Sequence, residues 1–167
     1  MGVTDVSGAS DDAKNLANFL DGVLEKVITT YDSYSMPLPA RRYWTMGSPA
    51  IDCEQLTVHL LQMYLGPPGD EVVEPRRCSD PRTATINITV SREVPTVGQS
   101  GNPPSPENIE KGSTVAAYDA WILMESINEF DQWDPVGFGL GVIATLEVDE
   151  PEGGFQTVRL VATMAVP

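Results

Sequence analysis

His59 is the single histidine of this 167-residue chain, and Cys53 and Cys78 are its two cysteines. Nucleophilic or metal chemistry would have to be assembled from these three residues, serines and carboxylates. A hydrolytic triad needs a histidine within hydrogen-bond reach of a serine or cysteine held on a defined turn. Gly98-Gln99-Ser100-Gly101 comes nearest, but it lacks the five-residue spacing of a nucleophile elbow and lies in a proline-rich stretch. Cys53 is near His59 in sequence, yet nearby positions on a strand point apart or lie well along it. Two cysteines cannot make a zinc site alone, and with one imidazole a metal would rest on carboxylates. His59 alternates out of phase with Leu56, Val58 and Leu60, which assigns it to the polar face of a strand. No catalytic, cofactor-binding or metal-ligating residue is assigned.

Two further runs imitate known sites. Gly137-Phe138-Gly139-Leu140-Gly141 resembles a phosphate-binding loop, but its glycines follow a helical stretch and lead into a strand. A dinucleotide motif requires the reverse order. Asp149, Glu150 and Glu152 could gather a cation, but they sit in a hairpin turn without the spacing of a calcium loop. A solvated acidic turn accounts for them.

Ten Lys and Arg stand against 24 Asp and Glu, a net charge of −14. Nucleic-acid binding depends on basic residues that displace counterions, so gripping DNA or RNA is not expected. Such a surface favours solubility, or forms a wall past which DNA slides without sticking. Hydrophobic residues make up 41%, enough to bury a core. No basic start leads into an apolar run. No stretch nears the roughly 18 apolar residues of a membrane helix, so the expectation is a cytosolic protein with free thiols and no membrane partner.

The elements that would position these residues are legible. Residues 1–9 are small and polar and are expected to form a flexible arm, leaving 10–167 as a single domain. Ser10 is the expected cap of a helix whose stripe is Ala13, Leu16, Ala17, Leu20, Val23, Leu24, Val27, Ile28 and Tyr31. Met36-Pro37-Leu38-Pro39 cannot continue it. Arg41 to Met46 is short, aromatic and β-prone. Residues 54–65 alternate and then slip phase by one, which reads as a strand with a bulge, although Leu56, His59, Leu60 and Met63 also fit a helical face.

Thr83 to Val94 alternates cleanly, with Ala84, Ile86, Ile88 and Val90 on one side and hydroxyls on the other, as a half-solvated antiparallel sheet requires. Paired back on 54–65, it would leave Cys53 at the far end and Cys78 in the connecting loop, too far apart to bridge. Ser105-Pro106-Glu107 opens a second helix to about Asp131, with the stripe Ile109, Ala116, Ala117, Ala120, Trp121, Met124 and Ile127. Asp134-Pro135 closes it. A final hairpin turns at 149–154. The predicted class is α+β: an antiparallel or mixed sheet with two amphipathic helices packed on it.

The remaining features suit contact rather than catalysis. Arg41, Arg42, Tyr43 and Trp44 set a cationic, aromatic cluster in an acidic chain, and these residue types are enriched at interface hot spots. They form the candidate subunit or partner interface. The 1–9 arm and the loops 66–82 and 95–106 are further segments that could reach a neighbour.

The run Ala50-Ile51-Asp52-Cys53-Glu54-Gln55-Leu56, continuing to Tyr64-Leu65-Gly66-Pro67-Pro68-Gly69, resembles the tail terminator (head-tail joining, or neck) proteins of long-tailed phages that infect actinobacteria. The strand Arg82 to Pro95, the helix with Asp119-Ala120-Trp121 and the closing hairpin fit the same family. The resemblance implies a non-enzymatic virion protein, assembled in the host cytoplasm. It would form a ring, typically of six copies, that caps the tail tube and docks to the capsid connector or stopper. DNA would pass through the lumen without sequence-specific binding, and no cofactor is implied. The family has no catalytic motif, so no functional residue carries over.

Three other readings stay open. One is another neck component, a head-completion or stopper protein. A second is a small ligand-binding or enzymatic α+β domain using His59, and a third is a cytosolic regulatory or antitoxin-like partner.

Overall fold

A computed structural model describes residues 11–69, 82–97, 101–130 and 141–166. The expected arm 1–9, the cap Ser10, Cys78, Gly98-Gln99-Ser100, Asp134-Pro135 and residues 137–140 of the glycine run lie outside the described residues. The chain order is α1 (Asp11–Ser33), β1 (Arg41–Met46), β2 (Gln55–Leu65), β3 (Arg82–Glu93), α2 (Pro106–Phe130), β4 (Val142–Val148) and β5 (Phe155–Val166). One five-stranded sheet runs β1-β2-β3-β5-β4, with β1 parallel to β2 and every other pair antiparallel. Both helices pack on the same face, so the fold is α+β with a mixed sheet.

The α1 stripe is buried as its periodicity predicts: Leu20, Val23, Leu24, Val27 and Tyr31 are in the core, joined by Phe19. Such side chains each contribute about 1.5–3 kcal/mol on burial. The helix ends in a Schellman motif, with Ser35 N–H donating to Asp32 O at 3.0 Å and Met36 N–H to Tyr31 O at 3.1 Å. Ser35 holds the left-handed position usually given to glycine, at φ 52°. Met36 is thereby turned back against the core.

Residues 55–65 are a strand. The pairing of β2 with β3 shifts between Leu60 and Gln62, which leaves Leu61 as the bulged residue where the alternation slips. Leu56 and Val58 point to the helices, and Thr57 and His59 to the opposite face, in register with Val90, Ile88, Thr89 and Asn87 of β3. The link from β1 to its parallel neighbour β2 is residues 47–54. Eight nearly extended residues span roughly 26 Å, just enough to return along a six-residue strand of about 20 Å. Gln55 Nε2 donates to Ala50 O at 2.9 Å and Arg41 Nη1 to Asp52 Oδ1 at 2.6 Å, which fastens that return.

Two expectations need correction. The hydroxyl face of β3 is not half-solvated: Thr83, Thr85, Asn87, Thr89 and Ser91 are all buried. The strand is the middle one of five, and its short side chains lie between longer neighbours such as Gln55, Gln62 and Arg159.

The second correction concerns α2. The residues turned to the sheet are Ala116, Asp119, Ile122, Leu123, Ser126 and Ile127, whereas Ile109, Ala117, Trp121 and Met124 of the expected stripe are exposed. Hydrophobic periodicity chose the wrong rotation because the true core face carries a carboxylate. Asp119 is fully buried yet satisfied, accepting from Tyr31 and Arg92.

Candidate interaction surfaces

Strand alternation splits the predicted Arg41, Arg42, Tyr43, Trp44 cluster. Arg41 and Tyr43 pair with Gln55 and Thr57 and so lie on the face away from the helices, whereas Arg42 and Trp44 pair with Leu56 and Val58 on the helix side. Trp44 is half-buried against the core. Arg41 stacks its guanidinium 5.1 Å from the Tyr43 ring centroid and forms an exposed ion pair with Asp52. The hydrogen bond to Cys53, then the charge of Asp52, hold its pKa above the ordinary arginine value. Tyr43 donates to Gln55 Oε1 at 3.4 Å. The cluster is therefore an edge strand with two exposed cations and a core-facing indole, not one continuous patch.

A different surface gathers the exposed aromatics. Tyr34 and Met36, just past the end of α1, face Thr114, Ala117, Tyr118, Trp121 and Ile122 of α2 across a groove of about 500 Å³. Tyr118 is 53% exposed and Trp121 59%. Its walls are fixed from below by a buried polar network. Tyr31 Oη donates to Asp119 Oδ1 at 2.7 Å, and Arg92 grips the same carboxylate in bidentate fashion, at 3.0 Å to each oxygen. Arg92 Nη2 also donates to Pro37 O at 2.8 Å, so one side chain of β3 ties down both the segment after α1 and the middle of α2. Burial first, then the Asp119 charge, push the Tyr31 hydroxyl far above its ordinary pKa. For Arg92, burial works against the charge, but Asp119 outweighs it and the guanidinium stays cationic.

On the sheet face away from the helices, Thr57, His59, Asn87, Thr89 and Arg159 form a contiguous patch in cross-strand register. Thr57 Oγ1, both ring nitrogens of His59, Asn87 Oδ1, Thr89 Oγ1 and Arg159 Nε are buried without a hydrogen-bond partner. Burial, and then the charge of Arg159, lower the His59 pKa. His59 is 3% exposed, and among the described residues no carboxylate is bonded to it to orient the ring as a nucleophilic triad demands. Among the described residues, no three His, Cys, Asp or Glu side chains gather as a metal would need. Of the acidic turn, Asp149 is committed with Glu147 to Arg159, at 3.0 and 2.7 Å.

Sequence reasoning missed the Tyr31–Asp119–Arg92 network and the groove above it. The available signal was Asp119 itself, three residues after Ala116 and four before Leu123. A carboxylate at that spacing within an apolar stripe needs a buried cation to satisfy it. No protein-family model and no curated protein matches this sequence. Among the described helices, none is long and apolar enough to cross a membrane.

Proposed function

We propose that this chain is a structural virion protein of the phage neck. It assembles with copies of itself into a ring, six in the family it resembles, that caps the tail tube and joins it to the connector on the filled capsid. The observation that supports this most is the aromatic groove: Tyr34, Tyr118 and Trp121 are exposed on a chain of net charge −14. An exposed apolar patch rimmed by polar surface marks contact with another macromolecule, and tyrosine and tryptophan are the anchors such contacts favour. The sequence resemblance over Ala50 to Gly69 supplies the identity of the assembly. The acidity suits a lumen through which DNA passes without adhering.

The test is a capping assay. Purified protein added to polymerising tail tube protein should arrest growth and mark one end of each tube, and Trp121→Ala should weaken that arrest without unfolding the chain. Tubes that elongate unchanged with saturating protein would overturn the reading.

A further inference from the structure

The two edge strands of the sheet carry opposite charges, each partly neutralised within the chain: Arg41 by Asp52, and Glu147 and Asp149 by Arg159. Among the described residues, no strand pairs with the outer side of β1 or of β4, and no described backbone hydrogen bond uses either outer edge. The β1 edge begins with exposed Arg41 and Arg42 and ends with exposed Met46. The β4 edge begins with half-buried Val142 and exposed Ile143 and ends with Glu147, Val148 and Asp149. Strand directions follow from the pairings: β1, β2 and β5 run one way, β3 and β4 the other. Laying β4 of one copy beside β1 of the next would therefore make an antiparallel pair. In that pair the basic start of β1 meets the acidic end of β4, and Met46 meets the apolar start of β4.

We propose that copies of this chain associate head to tail by continuing the sheet, β1 of one protomer pairing with β4 of its neighbour. Matching the faces, so that all helices stay on one side, restricts the register to steps of two. Arg41 and Tyr43 share a face with Thr145 and Glu147, so the two registers of fullest overlap set Arg41 opposite Glu147 or opposite Asp149. In the second register Trp44 lies opposite Leu146 and Met46 opposite Ala144. Antiparallel pairing of β1 with itself would instead set Arg41 against Thr45, Met46 or Gly47, so the guanidinium would keep its own Asp52 and gain no carboxylate from the other copy.

Charged residues on an edge normally deter pairing with strangers. Here the edges complement each other, as a heterologous interface requires: across the seam Arg41 would share itself between Asp52 and the neighbour's Glu147 or Asp149, which in turn stay within reach of Arg159. Such an interface closes into a ring when its rotation permits. The inference rests on the ring reading above and names the surfaces that build it.

The test uses the full chain. Arg41→Glu alone, and Glu147→Lys with Asp149→Lys, should each shift assembly at least about tenfold to higher protein concentration, read by light scattering. The chain carrying all three substitutions should regain assembly, with circular dichroism reporting the fold of each variant. Hydrogen exchange on the unaltered protein gives a second readout: amides of β1 and β4 should gain protection on assembly.

If the unaltered protein forms rings but the charge variants assemble alike and neither edge gains protection, the edges are not the interface and the ring uses another surface. A triple variant that folds but stays as defective as its parents would also overturn the pairing. A natural-sequence chain that never assembles, alone or on tubes, would remove the ring reading itself.

Discussion

The Tyr31 hydroxyl donates to Asp119 Oδ1 at 2.7 Å, joining the last turn of α1 to the middle of α2. Asp119 is fully buried, and among the described residues Arg92, itself nearly buried, balances its charge. The arrangement is asymmetric in its consequences. Tyr31→Phe removes one hydrogen bond and should cost about 1–3 kcal/mol. Asp119→Ala leaves the nearly buried guanidinium with only the Pro37 carbonyl and a distant Glu54, 3.9 Å away, and should cost about 3–5 kcal/mol. Urea denaturation of both variants measures the difference, and equal losses would refute the assignment of Arg92 as a dependent charge.

The rotation of α2 makes a second prediction. Leu123 is in the core and Trp121 is on the surface. Leu123→Ala should destabilise by about 2–5 kcal/mol, whereas Trp121→Ala should cost under about 1 kcal/mol, as surface substitutions do. A larger loss for the tryptophan, in the same denaturation experiment, would mean that the helix is turned the other way.

His59 gives a pH dependence whose sign is fixed. Burial lowers its folded-state pKa below the ordinary 6.5, so on acidification the unfolded chain takes up the proton first. The contribution to stability is complete above about pH 6.5 and is lost as pH falls from there through the folded value. His59→Leu removes the titration and both unpartnered nitrogens. It should flatten the difference in stability between about pH 7.5 and 5.5 and be neutral or stabilising. Parallel stability curves for the two proteins across that range would contradict this.

Ser35 adopts a left-handed conformation at the end of α1. A non-glycine residue there carries a steric penalty of about 1–2 kcal/mol, partly offset by the greater backbone entropy that glycine loses on folding. Ser35→Gly should therefore raise stability by about 0.5 kcal/mol, seen as a small increase in Tm. A lower Tm would show that the serine side chain contributes something the glycine lacks.

Much of the fold was legible because its signals are local. The α1 stripe, the Ser105 cap and the alternation of β3 and β5 each follow from neighbouring residues. The phase slip at Leu61 likewise announced the bulge. What stayed hidden depends on pairing across distance. Nothing in Arg41–Met46 says that it lies parallel to β2, because parallel and antiparallel partners ask for the same alternation. The face of α2 was misread because Asp119 looks like a surface residue until Tyr31 and Arg92 are brought to it from 88 and 27 positions away. Trp44 and Trp121 exchanged places, the first through its position in the β1 alternation and the second through the rotation of α2: one packs against the core, and the other lines the groove.

The most direct measurement is the mass and shape of the protein with purified tail tubes, by light scattering and negative-stain imaging. Closed rings of one stoichiometry, seated at a single end of each tube, are expected. A protein that stays monomeric at every concentration, and leaves tube ends bare, would contradict the proposed assembly.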